Sequence, residues 1–210
     1  MIFFSSLLNL NSAFFEDRLE LLPEEKRQWC SCVKNENARK ETILAWLLLR
    51  HALNMKSDDV FLPLVFSDRG KPHFENCNIH FNLSHSGNII CAAVSRVGEI
   101  GVDVQKISKF SNKTRERVFC YNERSVGERQ PNPDLYFTRL WSVKESYLKQ
   151  TGTGIAFDLK TLDFSSESLD NYFEKGGLCY TVGKIDDCLF SVCTLEKGKQ
   201  IVDFVPAESL

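Results

Sequence analysis

The spacing of apolar residues changes several times along the chain, and each change marks an element. Ile2-Phe3-Phe4 reads as a strand, and Asn9, Asn11 and Ser12 place a loop after it. Pro23-Glu24-Glu25-Lys26-Arg27 has the proline-then-acid signature of a helix start, and within 38–53 Ile43, Leu44, Leu47 and Leu48 recur at helical spacing. After the turn-type residues Ser67-Asp68-Arg69-Gly70-Lys71-Pro72 the runs become short. Those at 79–83, 89–94 and 100–104 read as strands, the last two as a hairpin around Arg96-Val97-Gly98-Glu99. Residues 188–193, the polar turn Glu196-Lys197-Gly198-Lys199 and 201–203 echo 89–103, which suggests two related halves in an α+β chain. The echo is short, and coincidence accounts for it equally well.

The stretch 137–150 reads as a helix with Phe137, Leu140, Trp141, Tyr147 and Leu148 on one face. Lys144 falls in the middle of that face, where a cation must either snorkel to water or meet an anion. Glu145 and Lys149 border the face one turn apart, the spacing of an ordinary surface ion pair. Gly152-Thr153-Gly154 then ends the helix in a polar loop. Asp103 is the one strongly charged group in 100–105, so it is either a hydrogen-bonded buried carboxylate or a metal ligand. Gln105 points to the same side of an extended strand and offers a neutral carbonyl oxygen.

Composition narrows the classes. With 210 residues, 43% of them hydrophobic, the chain can bury one ordinary domain or two small, closely packed ones. A net charge of −2 gives no footprint for nucleic acid. The first residues lack the basic start of a signal peptide and are interrupted far short of membrane-spanning length. Most of the eight cysteines sit in apolar runs as small buried hydrophobes, which points to a reduced, cytoplasmic protein with no membrane partner. Cys77, His80 and His85 match no standard zinc spacing.

Three segments, in order and spacing, resemble the surfactin-type, two-domain 4'-phosphopantetheinyl transferases. They are Phe81-Asn82-Leu83-Ser84-His85-Ser86-Gly87, Ile100-Gly101-Val102-Asp103-Val104-Gln105 and Leu140-Trp141-Ser142-Val143-Lys144-Glu145-Ser146-Tyr147-Leu148-Lys149. Arg69-Gly70-Lys71-Pro72 fits the same pattern. The resemblance implies a pseudo-dimer of two similar α+β halves, 1–103 and 104–210, with the active site in the cleft between them. It implies coenzyme A as substrate and Mg²⁺, with Mn²⁺ as a substitute, held by Asp103 and Glu145, with Gln105 and Glu123 at the same metal. Glu145 and Lys149 are the implied catalytic pair. Arg69, Lys71, Ser84, His85 and Lys144, with Arg39 and Lys40 nearer the N-terminus, are the implied contacts to the nucleotide and its phosphates. The implied partner is an apo acyl or peptidyl carrier protein docking near 152–183, including Ile155 and Phe157, on an enzyme that acts as a monomer. Many relatives carry an acid where this chain has Gln105. The competing readings are a metal-dependent nuclease, whose acid-x-lysine pair is tighter than Glu145-x-x-x-Lys149, and a noncatalytic carrier-binding module.

Overall fold

The computed structural model describes residues 1–154 and 157–210; Ile155, expected at the docking surface, lies outside them. Helix starts follow the capping chemistry of the sequence. After strand β1 (Ile2–Ser6) come α1 (Ser12–Glu16), α2 (Glu24–Cys32) and α3 (Glu36–Ala52), the last capped by Asn35, whose side chain accepts from the Ala38 N–H at 3.1 Å. The ribbon β2 (Leu64–Phe66) and β3 (Pro72–Phe74) leads to β4 (His80–Ser86), β5 (Ile89–Ser95) and β6 (Ile100–Lys106). Then come α4 (Asn112–Val118), α5 (Tyr121–Gly127) and α6 (Pro133–Thr151). Asn132 caps α6, a proline opens it, and Gly152 ends it in the left-handed region at φ 67°. The chain closes with β7 (Tyr172–Lys175), β8 (Leu178–Ile185), β9 (Cys188–Thr194) and β10 (Val202–Phe204).

Two four-stranded sheets, ordered β10-β1-β5-β4 and β6-β9-β8-β7, lie face to face between α3 on one side and α6 on the other. Alternate residues decide the layers. Ile2, Phe4, Cys91 and Ala93 meet Val102, Val104, Phe190 and Val192 between the sheets, whereas Phe3, Ile90 and Ala92 turn to Leu44 and Leu48 of α3. The mixed α+β class follows the expectation, but the hairpin does not. β5 pairs with β1 and β4, and β6 pairs with β9, Ile100 lying opposite Thr194. Both strands are buried on both faces over most of their length, β6 from Ile100 to Val104 with Asp103 among the buried residues, so Arg96–Glu99 carries the chain from one sheet to the other and the strands stack instead of pairing. The division expected at 103/104 falls inside β6, all of which belongs to the C-terminal sheet.

β4 and β6 are edges of different sheets, and side chains join them. Asn82 Oδ1 accepts from Val102 N–H at 2.9 Å, Ser84 Oγ from Val104 N–H at 3.1 Å, and Ser86 Oγ from Lys106 N–H at 2.9 Å. The three rungs repeat every second residue on both strands, so the outward N–H groups of β6 are satisfied without a backbone ladder. Each rung contributes on the order of 1 kcal/mol net.

Gly101 lets α6 lie directly on β6. A Cβ there would sit 2.1 Å from the Ser146 carbonyl oxygen and 2.3 Å from Gln150 N. Both obstacles are backbone, so Gly101→Ala forces the helix off the strand and is expected to cost about 3 kcal/mol. Urea denaturation measures this; a loss below about 1 kcal/mol would show that α6 has slack over β6.

Candidate active site

Asp103 points from β6 toward α6 and is 5% exposed. Its Oδ1 accepts from Lys149 Nζ at 2.8 Å and from the Ser84 hydroxyl at 3.4 Å, and its backbone carbonyl accepts from the Ser142 hydroxyl at 3.2 Å. Its Oδ2 is buried with no hydrogen-bond partner among the described residues. Burial pushes the Asp103 carboxyl above its ordinary range, although Lys149 and the two serines pull the other way. Glu145, half-buried on α6, is also raised, first by burial and then by repulsion from Asp103. An orphaned carboxylate oxygen beside a second carboxylate that resists ionising is an excess of negative charge, in oxygen donors, that suits a hard divalent cation. Gln105 lies two residues along on the same face, its Nε2 donating to its neighbour's carbonyl, Lys106 O, at 3.4 Å.

Of these groups Glu145 and Lys149 border a cleft of about 220 Å³, and Asp103 lies buried behind Lys149. Arg69, Lys71 and Pro72 form one wall, Glu145, Leu148 and Lys149 the other, with Asn82 at the base and Gly152 and Gly154 at the rim. Lys71 is doubly employed. Its Nζ donates to Glu99 Oε2 at 2.5 Å, to Ile100 O at 3.1 Å and to Gln150 O at 3.3 Å, tying the β2–β3 ribbon to β6 and the end of α6. His80 Nδ1 meets the other Glu99 oxygen at 2.9 Å.

Several expected residues lie elsewhere. Lys144 does meet an anion, but the anion is Glu123: Nζ donates to Glu123 Oε2 at 2.6 Å, to Leu159 O at 2.8 Å and to Val118 O at 3.2 Å, and both side chains are 0% exposed. Glu123 also accepts from the Cys120 and Phe164 N–H groups. Lys144 is therefore removed from the phosphate contacts and Glu123 from the metal, because each is engaged by the other inside the core. Among the described residues Cys120, Glu123 and Asp163 do come together with metal-ligand spacing, yet the Lys144 ammonium already supplies their cation. Arg39 grips both oxygens of Glu16 at 2.6 and 3.0 Å and donates to Cys30 O as well, so it fastens α1 and α2 to α3; Lys40 pairs with Glu36. Neither lines the cleft. Ser84 turns inward to Asp103, and exposed His85 turns outward, 3.4 Å from Glu41 Oε2. Sequence reasoning missed Asn82, Ser142 and Leu148; the period-two polar run Asn82, Ser84, Ser86 was the available signal for the first.

The buried pair makes a direct test. Burial lowers the Lys144 pKa while Glu123 opposes the shift, so removing the cation paired with Glu123 leaves a naked charge. Lys144→Met is expected to destabilise the ligand-free protein by about 3–5 kcal/mol, and Glu123→Gln added to it to restore part of that loss, in urea titrations. Unchanged stability with weakened coenzyme A binding would return Lys144 to the phosphates.

A family model described as the 4'-phosphopantetheinyl transferase superfamily matches residues 99–202, from the last residue before β6 into β10, and so includes Asp103, Glu145 and Lys149. Similar proteins include 4'-phosphopantetheinyl transferase ffp of Bacillus subtilis, 34% identical over 68% of this chain and 66% of its own length. A second Bacillus subtilis 4'-phosphopantetheinyl transferase is 32% identical over 70% and 68%, and AcpT of Salmonella typhimurium is 32% identical over 62% and 66%. The matched part thus spans about two thirds of the length of these relatives. With the motif residues gathered on β4, β6 and α6, the chain belongs to the 4'-phosphopantetheinyl transferase superfamily.

Proposed function

We propose that the protein transfers the 4'-phosphopantetheine group of coenzyme A to a serine hydroxyl of an apo acyl or peptidyl carrier protein. The observation that carries this is the pairing of Asp103 with Lys149 next to Glu145, where Glu145 and Lys149 border a cleft that Arg69 and Lys71 also line. The serine oxygen attacks the β-phosphorus of coenzyme A, the bridging bond to the α-phosphate breaks, and adenosine 3',5'-bisphosphate leaves. Glu145, which borders the cleft beside Lys149, takes the serine proton. Lys149 balances charge on the leaving phosphate. Held by Asp103 and Glu145, Mg²⁺ or Mn²⁺ would offset the pyrophosphate charge and fix its orientation. Arg69 and His85 are the proposed nucleotide contacts, Lys71 holds the cleft wall through Glu99 and contributes to the nucleotide site by position, and Gln105 offers a neutral oxygen to the metal. The two halves divide at the link between β5 and β6, with β10 returning to the first sheet, and the active unit is a monomer in the cytoplasm, consistent with eight free cysteines.

The carrier's place is a second cavity of about 590 Å³. Its floor is Val118, Trp141, Phe157 and Leu159; Lys113, Arg117 and Lys160 rim it. Carrier helices are acidic, so this rim complements them and the floor takes an apolar side chain. Phe157 to Lys160 falls within the expected 152–183, and α4 adds Lys113 and Arg117.

Mixing the protein with coenzyme A, Mg²⁺ and several apo carriers should add one phosphopantetheine to the carrier mass; no gain with any carrier, or plasmid cleavage in the same buffer, would overturn the reading. Glu145→Gln should lower the rate at least ~100-fold with the fold intact. Gln105→Glu should retain transfer and reach half-maximal rate at lower Mg²⁺; a folded but inactive variant contradicts the role given to this position. Reversing Lys113, Arg117 and Lys160 to Glu should raise KM for the carrier roughly tenfold and leave KM for coenzyme A unchanged.

A further inference from the structure

Ser84 occupies a position that neither a seam rung nor a ligand contact fully describes. Its Oγ accepts from Val104 N–H at 3.1 Å and from Lys149 Nζ at 3.0 Å, and it donates to Asp103 Oδ1 at 3.4 Å. A hydroxyl has one proton and two lone pairs, and all three are used. Nothing is left for a phosphate, which only accepts and would need the proton directed at Asp103. The side chain is also buried, 6% exposed, under the strand pair. Ser86, two residues on, makes the same kind of rung to Lys106 and touches neither Asp103 nor Lys149.

We propose that Ser84 is a positioning residue for the transfer reaction: its hydroxyl locks Asp103 and Lys149 to the seam between the two sheets. This rests on the function proposed above only for its kinetic consequence. Asp103 comes from β6 and Lys149 from α6, both of the C-terminal half, whereas Ser84 comes from β4 of the other sheet. The hydroxyl is thus the point at which the packing of one sheet sets the orientation of a carboxylate and an ammonium belonging to the other. Within the same motif, His85 points the opposite way, exposed beside Glu41.

The first test needs no activity. In metal-free buffer, Ser84→Ala and Lys149→Met should be non-additive in urea denaturation, while Ser86→Ala and Lys149→Met add. Additivity in both cycles refutes the tether, whatever the enzyme does. The second test is kinetic, with coenzyme A and its 3'-dephospho form as alternative substrates. Ser84→Ala should lower kcat roughly 10- to 100-fold with little change in KM for coenzyme A and an unchanged preference for coenzyme A over 3'-dephospho-coenzyme A. Ser84→Thr, which keeps the hydroxyl, should restore most of kcat, and Ser86→Ala should leave kcat near that of the wild type. A raised KM at constant kcat, with the preference for the 3'-phosphate lost, would make Ser84 a nucleotide contact instead. A wild-type protein that transfers nothing removes the proposed function but leaves the stability cycle to decide the tether.

Discussion

The structure depends on how the outer edge of β6 is satisfied. Val102, Val104 and Lys106 turn their N–H groups away from β9, and burying such groups unpaired would cost about 1–3 kcal/mol each. A backbone ladder with β4 would merge the two sheets into one and leave no face-to-face core. Side chains from Asn82, Ser84 and Ser86 reach across instead, which satisfies the edge while allowing the sheets to stack. The placement of β6 then fixes α6, because Gly101 brings the helix backbone into contact with the strand. Asp103 and Glu145 face one another as a result of that stack of constraints.

α6 carries two lysines with opposite fates, and the contrast separates support from chemistry. Lys144 is enclosed with Glu123 and two carbonyl oxygens, so its charge is fully answered within the protein. Lys149, one turn and one residue further, stays 28% exposed at its side chain and shares Asp103 with nothing that satisfies the second carboxylate oxygen. A core selected for stability alone would not retain that orphaned oxygen, since neutral groups of the same shape fit the same space at lower desolvation cost. The unsatisfied oxygen lies directly behind Lys149, which borders the cleft, whereas the satisfied pair of Lys144 and Glu123 is sealed in the core.

Much of this architecture was legible in the sequence. The helices at 38–53 and 137–150 appear within two and four residues of their observed starts because their caps and apolar spacing act locally. Strand existence was legible for the same reason, but strand partners were not. The turn at Arg96–Glu99 looks like a hairpin turn, and only the apolar character of both faces of β5 hints that the chain changes sheets there. Asp103, Glu145 and Lys149 were each ambiguous alone, and motif spacing joined them at one cleft. Glu123 and Lys144 show the opposite failure. The same apolar face that demanded an anion for Lys144 could be served from outside by a phosphate or from inside by a carboxylate, and sequence spacing does not distinguish the two. Similarly, Ser84 and His85 are neighbours in the motif, yet the alternation of a strand sends them to opposite sides.

Gln105 gives the site its particular charge balance. Asp103 and Glu145 bring two negative charges when ionised, and Lys149 answers one of them at 2.8 Å from Asp103. A divalent cation held by this pair alone would leave the cleft positive, with Arg69 adding to that charge while Lys71 is answered by Glu99. A third carboxylate at position 105 would cancel part of the excess before substrate arrives, whereas the glutamine cannot. On the proposed reading, the missing negative charge is supplied by the pyrophosphate itself, so metal and nucleotide bind with mutual assistance and neither is held tightly alone. Coupling of this kind is reciprocal: whatever coenzyme A adds to metal affinity, the metal adds to that of coenzyme A.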